Sequence, residues 1–332
     1  MPATPIDTAE LQVRADGLLA GVAPGCRVDP VTPLQGGTSS ITYWTSFTPP
    51  GSEPRKVVLK VAPAGLDPVR NRDVLRQARV LRALAPTPVP VPLVLAEHGG
   101  APPEIPPFFV MSFEEGDCVE PNSLAAEARL PADHVRGREL DAARVLGRLH
   151  ALDPAAVGLA DEPEVPLASE LERWVNAFAA CDPDLREGTE DVAELLAATV
   201  PAMGPTAVLH GDYRLGNTLS RGQEVVSVID WEIWSRGDAR VDLAWFLMMA
   251  NPDESLNRVA CPGMPGDAEL LSTYQAARGV EVKDLTWFAA LVRYKQAAAG
   301  ALIARNARRR GEETTTAAGN AGLLASARKL LA

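Results

Sequence analysis

The chain has 332 residues, a net charge of −11 and a hydrophobic content of 46%. The length allows two domains or a two-lobed fold, and the apolar content excludes a largely disordered chain. The acidic balance argues against a nucleic-acid partner, which needs a basic surface, and fits a soluble protein.

In chain order, Leu11 to Leu19 reads as an opening helix. Val31 to Phe47 reads as a hairpin turning at Gln35-Gly36-Gly37-Thr38-Ser39-Ser40, with β-branched and aromatic residues following at Ile41 to Thr45. Lys56 to Val61 is the next strand, and Val69 to Leu84 carries a helical stripe of Val74, Leu75, Ala78, Leu81 and Leu84. Phe108 to Phe113 is a further apolar strand, after which a tight lobe boundary is expected, giving residues 1–113 and 114–332. The second part reads mostly helical: 139–149, 169–180 with Ser169 as a cap, 190–199, 241–250, 268–277, 285–310 and 317–331. Short strands interrupt it before Asp212 and Asp230. The class is α+β, with a small β-rich N-terminal lobe built on one main helix and a larger helical C-terminal lobe.

Four separated cysteines (Cys26, Cys118, Cys181, Cys261) lack metal-site spacing and read as reduced, structural thiols of a cytoplasmic protein. The N-terminus lacks a signal-peptide pattern, and no apolar run is long enough to span a membrane. Oligomeric state is not legible.

The most informative stretch is His210-Gly211-Asp212-Tyr213-Arg214-Leu215-Gly216-Asn217, followed by Val228-Ile229-Asp230-Trp231-Glu232. Asp212 precedes Asn217 by five residues, and Asp230 follows Asn217 by thirteen. Each group borders a short apolar run, so each is expected where a strand ends. Phosphoryl transfer needs this inventory: one carboxylate to take the proton of an attacking hydroxyl, and an Asn and a second Asp to hold Mg²⁺ against nucleotide phosphates. Gly36 and Gly37 let backbone amides approach a phosphate, with Thr38, Ser39 and Ser40 as further donors. Lys60, among apolar neighbours, needs an anion. Arg214 either neutralises the transferring group or pairs with a neighbouring acid. His210 is expected to bond the loop backbone, and Asp242 to anchor the loop through backbone N–H groups. An acidic run (Glu172, Asp182, Asp184, Glu187, Glu190) reads as a solvated face, with a cationic-substrate pocket as the alternative. Arg305 and Arg308 to Arg310 form a basic helix end.

His-Gly-Asp-x-x-x-x-Asn, Ile-Asp-Trp-Glu and Gly-Asp-x-x-x-Asp-Leu together resemble the aminoglycoside phosphotransferase and choline kinase-like family. With Gln-Gly-Gly-Thr-Ser-Ser and Val-Leu-Arg-Ala-Leu-Ala-Pro-Thr-Pro-Val-Pro-Val-Pro, the chain is similar to the branch that includes the kinase domain of acyl-CoA dehydrogenases 10 and 11. The resemblance runs from about Pro33 to Leu247. It implies a bilobal protein-kinase-like fold, with Asp212 as catalytic base and Asn217 and Asp230 as Mg²⁺ ligands. It implies Lys60 on the α- and β-phosphates of ATP (or GTP) beneath the Gly36-Gly37 lid, the adenine against Met111, Ser112 and Phe113, and a structural role for His150. The family's lysine-pairing glutamate is replaced by Gln77, and Asp73, one turn earlier, offers a substitute.

These features predict an ATP- and Mg²⁺-dependent small-molecule kinase acting on a hydroxyl. The acceptor stays open between an aminoglycoside-like antibiotic, a hydroxyacyl or hydroxy-acid metabolite, and a choline-like amine caged by Trp174, Trp231 and Trp234. A second reading is a non-catalytic, degenerate kinase-like nucleotide-binding protein, supported by Gln77.

Overall fold

The computed structural model describes residues 6–34, 41–123, 129–251, 256 and 258–332. The glycine turn with Gly36, Gly37, Thr38, Ser39 and Ser40 lies outside the described residues. The chain forms two compact units. The first comprises Met1–Asp117 and Val226–Trp234, the second Cys118–Val225 and Ser235–Ala332.

In the first unit, α1 (Thr8–Val22) starts where Asp7 accepts hydrogen bonds from Ala9 N and Glu10 N. Leu11, Ala15 and Leu19, four residues apart, are fully buried. They pack on one face of an antiparallel sheet of β1 (Arg27–Val28), β2 (Thr32–Pro33), β3 (Ile41–Thr48), β4 (Arg55–Val61), β5 (Val94–His98) and β6 (Phe108–Ser112). The order is β1-β3-β4-β6-β5, and β2 also pairs with β3. Strand alternation turns Val57, Leu59 and Val61 of β4 toward α1. Lys60 therefore points from the opposite face, between Thr42 of β3 and Phe109 of β6 in the register.

The opening helix and the main helix that the sequence leads one to expect both form in this unit. The second, α2 (Val74–Leu84), begins five residues later than the periodicity suggests. Pro68 and a short 3₁₀ turn at Arg70–Arg72, with Arg70 at φ 57°, interrupt the path, and Asp73 then caps the helix by accepting from Arg76 N at 3.0 Å. Strand β5 lacks a sequence signal because it is half-buried throughout and carries a register shift between Val94 and Ala96.

A single cut near residue 113 leaves Val226–Trp234 out of the first unit. That segment is held there by Val228 N donating to Pro90 O (2.8 Å), Trp234 Nε1 to Arg76 O (3.1 Å) and Arg76 Nη2 to Trp234 O (2.7 Å). The Arg76 guanidinium also lies 4.2 Å above the Trp234 ring.

The second unit contains α3 (Ala132–His150), α4 (Leu167–Ala179), α5 (Thr189–Ala198), β7 (Thr206–Leu209), β8 (Thr218–Arg221) and the start of β9 (Glu224–Val228). It continues with β10 (Ser235–Asp238), α6 (Arg240–Ala250), α7 (Asp267–Arg278), α8 (Thr286–Arg310) and α9 (Asn320–Leu331). Strand β10 pairs antiparallel with β7, Ser235 opposite Leu209. The core gathers Leu171, Trp174 and Phe178 of α4 with Trp245 and Met248 of α6 and Leu291, Tyr294 and Ala298 of α8.

Ser169 is not the cap of α4. The helix begins two residues earlier, behind Pro166, with no side-chain cap bond. Asp182 and Asp184 of the acidic run pair with Arg308 of the basic helix end, at 3.3 and 2.6 Å. Among the described residues no helix is long and apolar enough to cross a membrane.

Candidate active site

In the first unit, Lys60 Nζ lies 3.3 Å from Asp230 Oδ1. The lysine side chain is 13% exposed and the aspartate 35%. Asp230 sits at φ 65°, the left-handed region that a non-glycine residue enters at a cost, although Asp tolerates it better than most. This backbone turns the carboxylate out where strand β9 ends. Gln77 is 2% exposed, and its Nε2 is buried without a hydrogen-bond partner among the described residues. Asp73, the expected substitute, is engaged at the α2 cap. Met111 is buried opposite Val58, and Lys56 Nζ lies 5.3 Å over the Phe113 ring. The Ser112 amide already donates to Leu93 O at 2.9 Å, so that N–H is spent within the sheet.

The indoles of Trp231 and Trp234 are 2% and 1% exposed. Trp231 Nε1 donates to Val228 O at 2.9 Å. Both are packing groups of the first unit and present no open face for a quaternary amine.

In the second unit, strand β7 delivers the loop from His210 to Asn217. His210 is fully buried and accepts from Asp212 N through Nδ1 at 3.2 Å. Gly211, at φ 89°, makes the turn that an L side chain would strain. Tyr213 is fully buried and ties the loop to α3 by donating to Ala142 O at 2.8 Å; burial holds its phenol well above the usual range.

Three side-chain donors reach the Asp212 carboxylate: Trp245 Nε1 at Oδ1 (2.8 Å), Asn217 Nδ2 at Oδ2 (2.9 Å) and, more distantly, Arg214 Nε at Oδ2 (3.5 Å). Asn217 Nδ2 also donates to Asp212 O at 2.8 Å. The amide thus directs its hydrogens to Asp212, and its remaining polar atom is Oδ1, an oxygen of the type Mg²⁺ takes.

Arg214 Nη1 pairs with Glu120 Oε1 at 2.7 Å, and its Nε lies 3.4 Å from Asp212 Oδ1. Burial opposes its charge, but Asp212 and Glu120 outweigh that and hold the guanidinium firmly protonated. Glu120 also accepts from Gly216 N at 2.9 Å and from Arg258 Nη1 at 3.1 Å. A Cβ at Gly216 would sit 2.1 Å from Arg214 Nη1, so glycine is what lets this clamp close. Cys118 is exposed, and its Sγ donates to Gly216 O at 2.9 Å, which places one of the four thiols beside the loop instead of in a core.

Beneath the loop, fully buried Asp242 accepts from His210 N and from Gly211 N (2.9 Å). His150 Nε2 lies 3.5 Å from Asp242 Oδ2, a long contact, while His150 Nδ1 bonds the Tyr274 hydroxyl at 2.7 Å. Burial pushes His150 down toward its neutral form despite Asp242. Burial would raise the Asp242 carboxyl, but His150, His210 and Lys295 hold it below the usual range.

Sequence reasoning missed Glu120, Trp245 and Lys295. Lys295 carried one readable signal, a lone lysine four residues after Leu291 and three before Ala298 on an otherwise apolar helix face.

The profile of the phosphotransferase enzyme family matches residues 30–305. Acyl-CoA dehydrogenase family member 10 of Mus musculus is 26% identical over 215 residues, covering 63% of this chain and 19% of that protein. The chain spans 19% to 39% of the length of the curated relatives it matches. Among solved structures, a Ralstonia eutropha protein assigned as an aminoglycoside phosphotransferase aligns at TM-score 0.77 and 21% identity, covering 98% of each chain. The type VIII aminoglycoside-3′-phosphotransferase aligns at TM-score 0.55 and 25% identity, covering 87% of this chain and 100% of that one.

Proposed function

Because the chain belongs to the phosphotransferase enzyme family, we propose that it transfers the γ-phosphate of ATP or GTP, with Mg²⁺, to a hydroxyl group of a small hydroxylated acid or acyl thioester. The observation that carries this reading is the Asp212 carboxylate, oriented by Trp245 and Asn217 and 29% exposed. Such a group can align an attacking hydroxyl and take its proton as the bond to phosphorus forms. Asn217 in the second unit and Asp230 in the first each offer hard oxygen to Mg²⁺, which neutralises phosphate charge when bound. Lys60 would meet the nucleotide phosphates, and Met111 and Phe113 the base.

Two observations favour an acid or thioester acceptor over a cationic one. The similarity to acyl-CoA dehydrogenase family members 10 and 11 covers well over half of this chain. The acidic run that would attract a polyamine has Asp182 and Asp184 committed to Arg308. The test is Mg²⁺-dependent nucleotide turnover on a panel of aminoglycosides, macrolides, hydroxy acids and hydroxyacyl-CoAs. Turnover confined to hydroxy acids or their thioesters supports the reading, and turnover confined to aminoglycosides replaces it.

A further inference from the structure

Lys295 lies in the middle of α8 and is 4% exposed. Its Nζ donates to Gly211 O, the carbonyl of the peptide joining Gly211 to Asp212. The same ammonium lies 4.2 Å over the Trp245 ring and 5.6 Å from the Trp174 ring centre. Trp245 in turn donates to Asp212 Oδ1 at 2.8 Å, and Trp174 donates to Glu170 Oε1 at 2.8 Å. We propose that Lys295 is the positioning residue of the base Asp212, acting through the Gly211 carbonyl and the Trp245 indole.

The proposal rests on the reading of Asp212 as base. Its physical ground is that a buried ammonium is costly and needs local compensation. Alanine and leucine suffice for packing around it on α8, at Leu291, Ala297 and Ala298. Here the compensation comes from one carbonyl, two indole faces, and the charges of Glu170, Asp212 and Asp242, with Arg173 opposing. Burial pushes the ammonium down from its usual range and those three carboxylates pull it back.

The arrangement acts on both sides of Asp212. Gly211 is in the left-handed region, where its peptide plane has alternatives, and Lys295 holds the carbonyl in one of them. The cation fixes the plane of the Trp245 ring, which aims Nε1 at Oδ1. With Oδ2 on Asn217, the carboxylate is then held against rotation. Released from Trp245, it would turn further onto Arg214, whose Nε already donates to Oδ2 at 3.5 Å.

Two readouts test this. The first is the indole spectrum of ¹⁵N-tryptophan-labelled protein, which contains six tryptophans. Trp245→Phe identifies the Trp245 signal, and Asp212→Asn shows where it moves when its acceptor changes. Lys295→Met is expected to move that signal as well, together with that of Trp174, whose ring the ammonium also faces, with the other four indoles in place. The second is kinetic, with MgATP and the acceptor that the panel identifies, or with water as acceptor. Lys295→Met and Trp245→Phe should each lower kcat about 10- to 100-fold, leave KM for MgATP within about twofold, and combine in the double variant without a further full loss.

An unmoved Trp245 signal in Lys295→Met, or kcat unchanged in both variants, overturns the proposal. Should Lys295→Met fail to fold, Trp245→Phe decides alone: reduced kcat with folded spectra sustains the relay, and intact kcat refutes it. A wild-type protein without turnover would sink the kinase reading, while the indole shift still reports whether Lys295 governs the Trp245–Asp212 contact.

Discussion

Lys60 and Asp230 form an ion pair at 3.3 Å within the first unit, although they are 170 residues apart in sequence. The aspartate is about one-third exposed, so the pair contributes little stability, on the order of 0–1 kcal/mol. Its importance would be functional. Lys60→Met and Asp230→Asn should each leave thermal unfolding nearly unchanged, while Lys60→Met raises KM for MgATP and Asp230→Asn lowers kcat by about 100-fold or more. A large fall in unfolding midpoint with normal kinetics would reverse this assignment.

Asp212→Asn keeps the shape of the proposed base and removes its ability to take a proton. Turnover is expected to fall about 10²- to 10⁴-fold, with nucleotide affinity retained. Calorimetric titration with MgATP beside a steady-state assay separates the two, and full activity in this variant would show that another group accepts the proton.

Asp242 accepts two backbone amides of the loop while fully buried. Asp242→Ala strands both donors and should cost about 2–4 kcal/mol. Denaturant unfolding of the second unit measures this. A cost below about 1 kcal/mol would mean that solvent or a shifted loop satisfies the amides.

Glu139 is buried, and burial, aided by Glu120 and opposed by Arg258, pushes its carboxyl up to about 8. Its folded pKa lies above the unfolded value of 4.5, so its protonation favours the fold below that value. That contribution is lost as pH rises toward 8, with a slope of up to about 1.4 kcal/mol per pH unit. Glu139→Gln should flatten the fall in stability between pH 5 and pH 8.5, read from unfolding midpoints across that range. Equal slopes in the two proteins would show that Glu139 is ionised in the fold.

Gln77 buries an amide nitrogen without a partner among the described residues, where the resemblance leads one to expect glutamate. Gln77→Met removes that cost at similar volume and should stabilise the protein by about 1 kcal/mol. Destabilisation coupled to weaker MgATP binding would instead identify the amide as part of the nucleotide site.

The loop from His210 to Asn217 was legible because its chemistry is local. Asp212 and Asn217 are five residues apart, and the amide reaches the carboxylate directly. Asp242 was legible for a related reason, as an acid at a helix start with backbone amides to satisfy. Glu120 and Trp245 come from distant segments and carry no spacing signal, and Lys295 shows only as a lone lysine on an apolar helix face; only tertiary packing brings the three to the loop. The helices were readable to within a few residues where apolar periodicity was strong. The start of α2 was misplaced because Arg70 breaks the path, and that of α4 because Pro166 opens the helix. Strand β5 stayed hidden because half-burial and a bulge erase alternation.

The first unit is written in two separate pieces of sequence, ending at Asp117 and resuming from Val226 to Trp234. This governs how the gene can be cut. A fragment stopping at residue 117 removes Asp230 from Lys60, the Trp234 ring from Arg76 and the Val228 amide from Pro90. The first unit is therefore not a transplantable cassette. Exchanging it between relatives requires both pieces to travel together, and substitutions at Lys60 or Arg76 are constrained by residues that a conventional domain boundary would assign elsewhere.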